Sequence, residues 1–315
     1  MTSLTRRDLL RSSVAVSAAT LVSGSLQRAQ ALLAAYPPAE TSSAVAPREH
    51  LLFDFGWKFF QGHASDPARD LGFGMLVLHT ISGADVGDVA SVDSHLDFDV
   101  TANVKGLRLG YFPAWMKERP ATEVDRAALE AAKKIGFELK EVSLPDWPYD
   151  SLNLILFAEA AAAFEELTLS GGLRELKAQV PDAWPNLFRQ ARFLSAVDFV
   201  QADRLRRKVA QEMARLFSEV DLLLVPSLRD EMLVITNFTG HPSLTLRAGF
   251  VEVQQARSDW APDPQHPLPT FATPRRVPHG VTLIGRLFDE GNLGAAGIAL
   301  ERAFGVAAER PAGFQ

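Results

Sequence analysis

At 315 residues, with 47% hydrophobic and 22% charged residues, the chain has ordinary globular usage and is long enough for one large core or two moderate ones. A net charge of -6 argues against a nucleic-acid partner held by phosphate neutralisation. The absence of cysteine excludes a disulfide framework, a thiolate nucleophile and a Cys-ligated zinc site.

Residues 1–31 read as an export signal. Arg6 and Arg7 form a twin-arginine head, Val14 to Leu26 is a weakly apolar stretch too short and polar to span a bilayer, and Ala29-Gln-Ala31 offers a cleavage site. A periplasmic or secreted destination follows, with no stable membrane span. Residues 32–49 are rich in Ala, Pro and Ser and read as a linker. The strand-like run that follows carries Leu52, Phe53, Phe55, Trp57, Phe59 and Phe60, and needs a partner surface. With Asp66 to Asp70 and Gly72-Phe-Gly74, the segment 48–74 resembles the opening strand of the sugar-binding domain of family 2 glycoside hydrolases.

The character of the chain changes at Gly74/Met75. Leu76 to Ile81 is apolar, and Ser82-Gly83 ends it as a helix cap and turn. Asp85, Asp88, Asp93, His95, Asp97 and Asp99 make an acidic loop whose spacing fits no EF-hand, so it reads as solvated rather than metal-binding. Lys105 to Tyr111 is a strand, Val124 to Ile135 a helix closed by Gly136, and Phe137 to Val142 a second strand. This is a βαβ-like unit that calls for a parallel pair. The Ala- and Leu-rich stretch from Tyr149 to Leu169 is helical, and Glu159 inside it reads as a backbone cap or an arginine partner rather than a general base.

Trp184 to Phe217 is a second helical region with a mixed-charge face. Asp221 to Pro226 is an apolar run of strand length, as expected for a strand covered on both faces, and Ser227 after it lacks the small neighbours of a nucleophile elbow. Thr236 to Phe250 reads as a turn at Gly240-His-Pro242, a strand from Ser243 and a second turn at Gly249, which suits the floor of a cleft. Asn237, Thr239, Gly240 and His241 are the substrate-cleft candidates. Val251 to Arg276 reads as a surface loop, and Pro278 to Arg286 as a strand closed by Gly285. A last helix runs from Phe288-Asp-Glu290 towards Phe304. Spacing gives His241 and His279 no carboxylate or metal partner, so each reads as a turn residue.

Asn237 to Phe250 followed by Gly280 to Glu290 resembles the C-terminal half of the amidase signature family, and Val77 to Asp85, Gly106 to Tyr111 and Asp221 to Pro226 fall in that family's order. The resemblance covers about residues 75–315. It implies an α/β fold, a partial amidase-type mixed β-sheet flanked by helices, preceded by the signal peptide and the short strand-like segment. It also implies a family activity on carboxamides, with a small-molecule amide as partner and no cofactor. Family members use a serine activated through a second serine by a lysine, beside a Gly/Ser-rich oxyanion loop, because an amide demands an activated alkoxide and aimed N–H donors. In the family these lie upstream of the block that starts here near Met75. Residues 32–74 hold one lysine, Lys58, and no Gly/Ser-rich loop, so no catalytic residue is carried over. Two fragments meeting at Gly74/Met75 imply a fused or internally deleted reading frame, with exposed strand edges and apolar surface. The rival readings are an exported non-catalytic binding domain and a glycoside hydrolase remnant.

Overall fold

The computed structural model describes residues 70–85, 87–88, 91–93, 96–227, 229–256 and 267–309, within the second of the chain's two units, Phe60–Gln315. The expected export signal, linker and aromatic run lie outside the described residues. In chain order the first elements are α1 (Asp70–Ile81), β1 (Arg108–Tyr111), α2 (Glu123–Ile135), β2 (Glu138–Glu141) and α3 (Asn153–Ala163). Then come α4 (Glu165–Leu169), α5 (Trp184–Ala191), α6 (Ala196–Glu219), β3 (Leu222–Pro226), α7 (Asp230–Thr239), β4 (Ser243–Gln255), β5 (Thr270–Gly285) and α8 (Glu290–Phe304).

The sheet is mixed, in the order β2-β1-β3-β5-β4. β1 pairs in parallel with β2 across α2, so the expected strand–helix–strand unit is present, and it pairs in parallel with β3 on its other side. β3 then pairs antiparallel with β5, and β5 with β4. All five residues of β3 are buried, as its unbroken apolar run requires when both faces are covered. Leu222 and Leu224 join a core with α2 and α8 through Ala132, Leu293 and Leu300. Leu223 and Val225 point the other way, into a core with Met213 and Leu216 of α6 and Met232 and Ile235 of α7. Helices therefore cover both faces, which matches the expected class.

Several boundaries differ from expectation. α1 runs without a break through Gly74/Met75. Its Leu71 and Met75 lean on α8, where Gly297 and Gly294 leave room: a Cβ there would lie 2.7 Å from Leu71 and from Met75. The helical region from Trp184 is two helices, because Ser195 caps a new start by accepting from the Asp198 amide at 3.0 Å. Thr236 to Thr239 belong to the last turn of α7 rather than to a turn before a strand, and Gly240 is its left-handed cap, with φ 80°. Nor does Gly249 end the strand. β4 continues to Gln255 with a register shift at Arg247/Gly249, and a Cβ on Gly249 would meet Val124 at 3.0 Å, so the glycine admits α2 against the sheet. Residues 251–255 and 270–276, expected in a surface loop, are the far arms of the β4–β5 hairpin. Leu76 and Ile81 of α1 and Leu233 of α7 stand exposed.

Candidate functional site at the carboxyl ends of the parallel strands

Parallel strands turn their carboxyl ends to one edge, and open α/β sheets gather ligands there, at the strand where the order reverses. Here the reversal falls at β1, since β2 lies to one side of it and β3 to the other. The segments leaving β1, β2 and β3 enclose a cavity of about 930 Å³ at that edge, a size suited to a small molecule.

Phe112 and Trp115 follow β1 directly, with rings stacked at 4.0 Å and 29°. From the segment after β3, Arg229 reaches back over the Trp115 ring, 4.8 Å from its centroid. The loop after β2 adds Trp147 and Tyr149, their rings 6.4 Å apart and tilted by 47°. Pro113, Pro145 and Pro148 also line the cavity, and each fixes one backbone angle in these loops. Tyr149 donates its hydroxyl to the Pro145 carbonyl at 2.6 Å. Burial first, then the charges of Glu212 and Asp146, push its phenol up to about 12, so it is a fixed wall and not a base. The last turns of α6 close the floor with Arg215, Leu216 and Glu219.

A smaller notch of about 70 Å³ shares Arg229 with this cavity, and Ser227, Thr236, Ser243, Thr245 and Thr282 are among its lining residues. Thr282 donates to Ser227 at 3.1 Å and meets Thr245 at 2.9 Å. Among the described residues no histidine or carboxylate bonds to Ser227.

The residues expected to form a cleft lie elsewhere. Asn237 and Gly240 are exposed on α7 and its cap, and none of Asn237, Thr239, Gly240 and His241 lines the large cavity or the notch. Thr239 gives its proton to the Ile235 carbonyl at 2.7 Å, which leaves His241 Nδ1, 2.7 Å from the same hydroxyl, as the donor between them. The His241 ring stacks on Phe217 at 5.0 Å and 15°, and burial holds its pKa below the usual imidazole value. This is a neutral ring packed at a joint between helix and strand. Glu159 is exposed on α3. In the acidic loop Asp85 accepts from the Gly87 amide and Asp99 from Thr101, both local turn bonds. No three metal-ligating side chains come together among the described residues.

Sequence spacing missed a buried pair. His279 Nε2 lies 2.8 Å from Asp125 Oδ2, with side-chain exposures of 6% and 0%. The same oxygen accepts the Thr122 amide at 2.7 Å and its hydroxyl at 2.9 Å, completing a capping box at the start of α2. Burial raises the Asp125 carboxyl, but the bonds from His279 and Thr122 outweigh it and hold the pKa below the usual carboxylate value. The only local signal was Thr122 three residues before Asp125.

The Amidase family model matches residues 67–293, and the chain belongs to that family. The glutamyl-tRNA(Gln) amidotransferase A subunit of Gluconobacter oxydans is 27% identical to it over 267 residues, which is 76% of this chain and 53% of that protein. The corresponding subunit of Acidobacterium capsulatum is 27% identical over 252 residues, 71% of this chain and 52% of its own length. Among solved structures, a bacterial aryl acylamidase of the amidase signature family superposes with TM-score 0.55 at 21% identity, covering 78% of this chain and 54% of that one. The 6-aminohexanoate cyclic dimer hydrolase gives TM-score 0.55 at 17% identity, over 77% and 55%. At these identities the structures share the fold. The chain spans about half the length of the curated relatives it matches. The glycoside hydrolase resemblance of residues 48–74 gains no support, and the amidase match begins inside that segment.

Proposed function

We propose that the protein binds small carboxamides in the cavity at the carboxyl ends of β1, β2 and β3, and that turnover draws on a serine–serine–lysine centre outside the residues that line it. The observation that carries this reading is the position of the aromatic-walled cavity, at the strand where the sheet order reverses, in a member of the Amidase family. Stacked rings suit the apolar part of an amide, and the Arg229 guanidinium over Trp115 completes that wall. Asn237, Thr239, Gly240 and His241 then act at one remove, fixing the joint between α7 and β4. Export by the twin-arginine route belongs to the same proposal, supported by the order of Arg6-Arg7, the apolar stretch and Ala29-Gln-Ala31.

The test is calorimetry with a panel of aliphatic and aromatic carboxamides, beside ammonia release and labelling by a serine-reactive phosphonate. Saturable binding that Trp147→Ala weakens, with neither ammonia nor label, is the expected result. Covalent labelling would mean a working nucleophile in this chain, and an absence of binding would remove the cavity from consideration. For export, Arg6→Lys/Arg7→Lys is expected to leave the protein in the cytoplasmic fraction.

A further inference from the structure

The charges around the cavity narrow the ligand beyond its amide. Both guanidinium groups that line it are already engaged. Arg215 pairs with Glu212 at 2.6 Å and Glu219 at 2.5 Å. Arg229 pairs with Glu231 at 3.0 Å and reaches Glu118 at 3.5 Å. The other charged groups of the lining are Glu141, Asp146 and Asp150, all acidic and all exposed. Glu141 accepts the Tyr111 hydroxyl at 3.1 Å, a neutral donor that leaves the charge in place. Among the described residues neither Asp146 nor Asp150 has an ion-pair partner.

These carboxylates stand beside aromatic surface. Asp146 directly precedes Trp147, and its charge reaches the buried Tyr149 phenol. Rings attract cations within about 6 Å of their centroid, most strongly for tryptophan, and the cavity already holds one such contact, Arg229 over Trp115 at 4.8 Å. A cavity with aromatic walls and surplus negative charge favours an organic cation over a neutral or anionic molecule of the same shape.

We infer that the cavity selects carboxamides that carry a protonated amine, with the ammonium drawn to the loop carboxylates Asp146 and Asp150 and to the aromatic wall. This rests on the reading of the cavity as a carboxamide site. The test is calorimetric titration of the full chain with three benzamides: unsubstituted, para-aminomethyl and para-carboxylate. The ammonium compound is expected to bind roughly tenfold more tightly than the neutral one and the carboxylate more weakly, with the spread shrinking near about 0.5 M salt as exposed charges are screened. In Asp146→Asn/Asp150→Asn the three should fall within about twofold of one another while the neutral compound binds as before. Both positions are exposed, so the fold is not at stake. Equal binding of the neutral and ammonium compounds to the unsubstituted chain overturns the inference and leaves the carboxamide reading intact. So does an ammonium preference that survives the double substitution. If none of the three binds, both readings fall.

Discussion

On one side of the sheet β1, β2 and β3 are 4, 4 and 5 residues long, parallel, and joined through helices. On the other, β4 and β5 run for 13 and 16 residues as an antiparallel hairpin that reaches past the core. Short parallel strands force their exits to converge, and their aromatic residues meet around an open cavity. The hairpin has no converging exits, and its rings are covered by its own arginines: Arg276 lies 3.4 Å over Phe250 and Arg275 lies 4.0 Å over Phe271. Similar residue types line a cavity in one region and pair among themselves in the other, so strand direction and length, rather than composition, decide where a ligand can enter.

Substitution should expose the same contrast as stability. Leu223 is fully buried in β3, and Leu223→Ala is expected to cost about 4 kcal/mol in urea unfolding through lost burial and a residual cavity. Asp125→Ala should cost roughly 3 kcal/mol, because it strands buried His279 and uncaps α2 together. Thr122→Ala, which removes the capping hydroxyl alone, should cost about 1 kcal/mol. In the hairpin arm, Val253 is half-buried, and Val253→Ala should cost less than about 1 kcal/mol. A loss at Val253 equal to that at Leu223 would break the comparison by making the arm part of the cooperative core.

Acid should sharpen it. His241 and Asp125 both have folded pKa values below their ordinary ones. The unfolded chain therefore takes up protons first, and stability is present above the unfolded pKa and lost as pH falls through the folded one. For His241 the loss begins near the unfolded imidazole value of about 6.5, and for Asp125 near the carboxylate value of about 3.9. Unfolding curves of His241→Gln should lack the first slope. The gap between the parent chain and Asp125→Asn should narrow only in the second window.

Much of the parallel side was legible. The unbroken apolar run Leu222 to Val225 indicated a strand covered on both faces, and the capped helix before Gly136 indicated the crossover. The hairpin arms were not, because Glu252, Gln254, Gln255, Arg275 and Arg276 give a polar stretch with the composition of a loop, and only pairing across the hairpin makes it a strand. The Asp125–His279 contact joins residues 154 positions apart, beyond any local pattern. The cavity left a faint trace: Phe112-Pro113 after β1 and Leu144-Pro-Asp-Trp-Pro-Tyr149 after β2 place rings and prolines directly behind two parallel strands. Asn237, Thr239, Gly240 and His241 lie instead on α7, its cap and the approach to β4, away from that cavity.

Entry of a carboxamide at the carboxyl ends of the parallel strands is tested by amide chemical-shift mapping of the isotope-labelled chain titrated with para-aminomethylbenzamide. Saturable shifts are expected, confined to residues 112–115, 141–150, 215–219 and 229–231. Shifts centred on Ser227 and Thr282, on Asn237 to His241, or on the β4–β5 arm would contradict it.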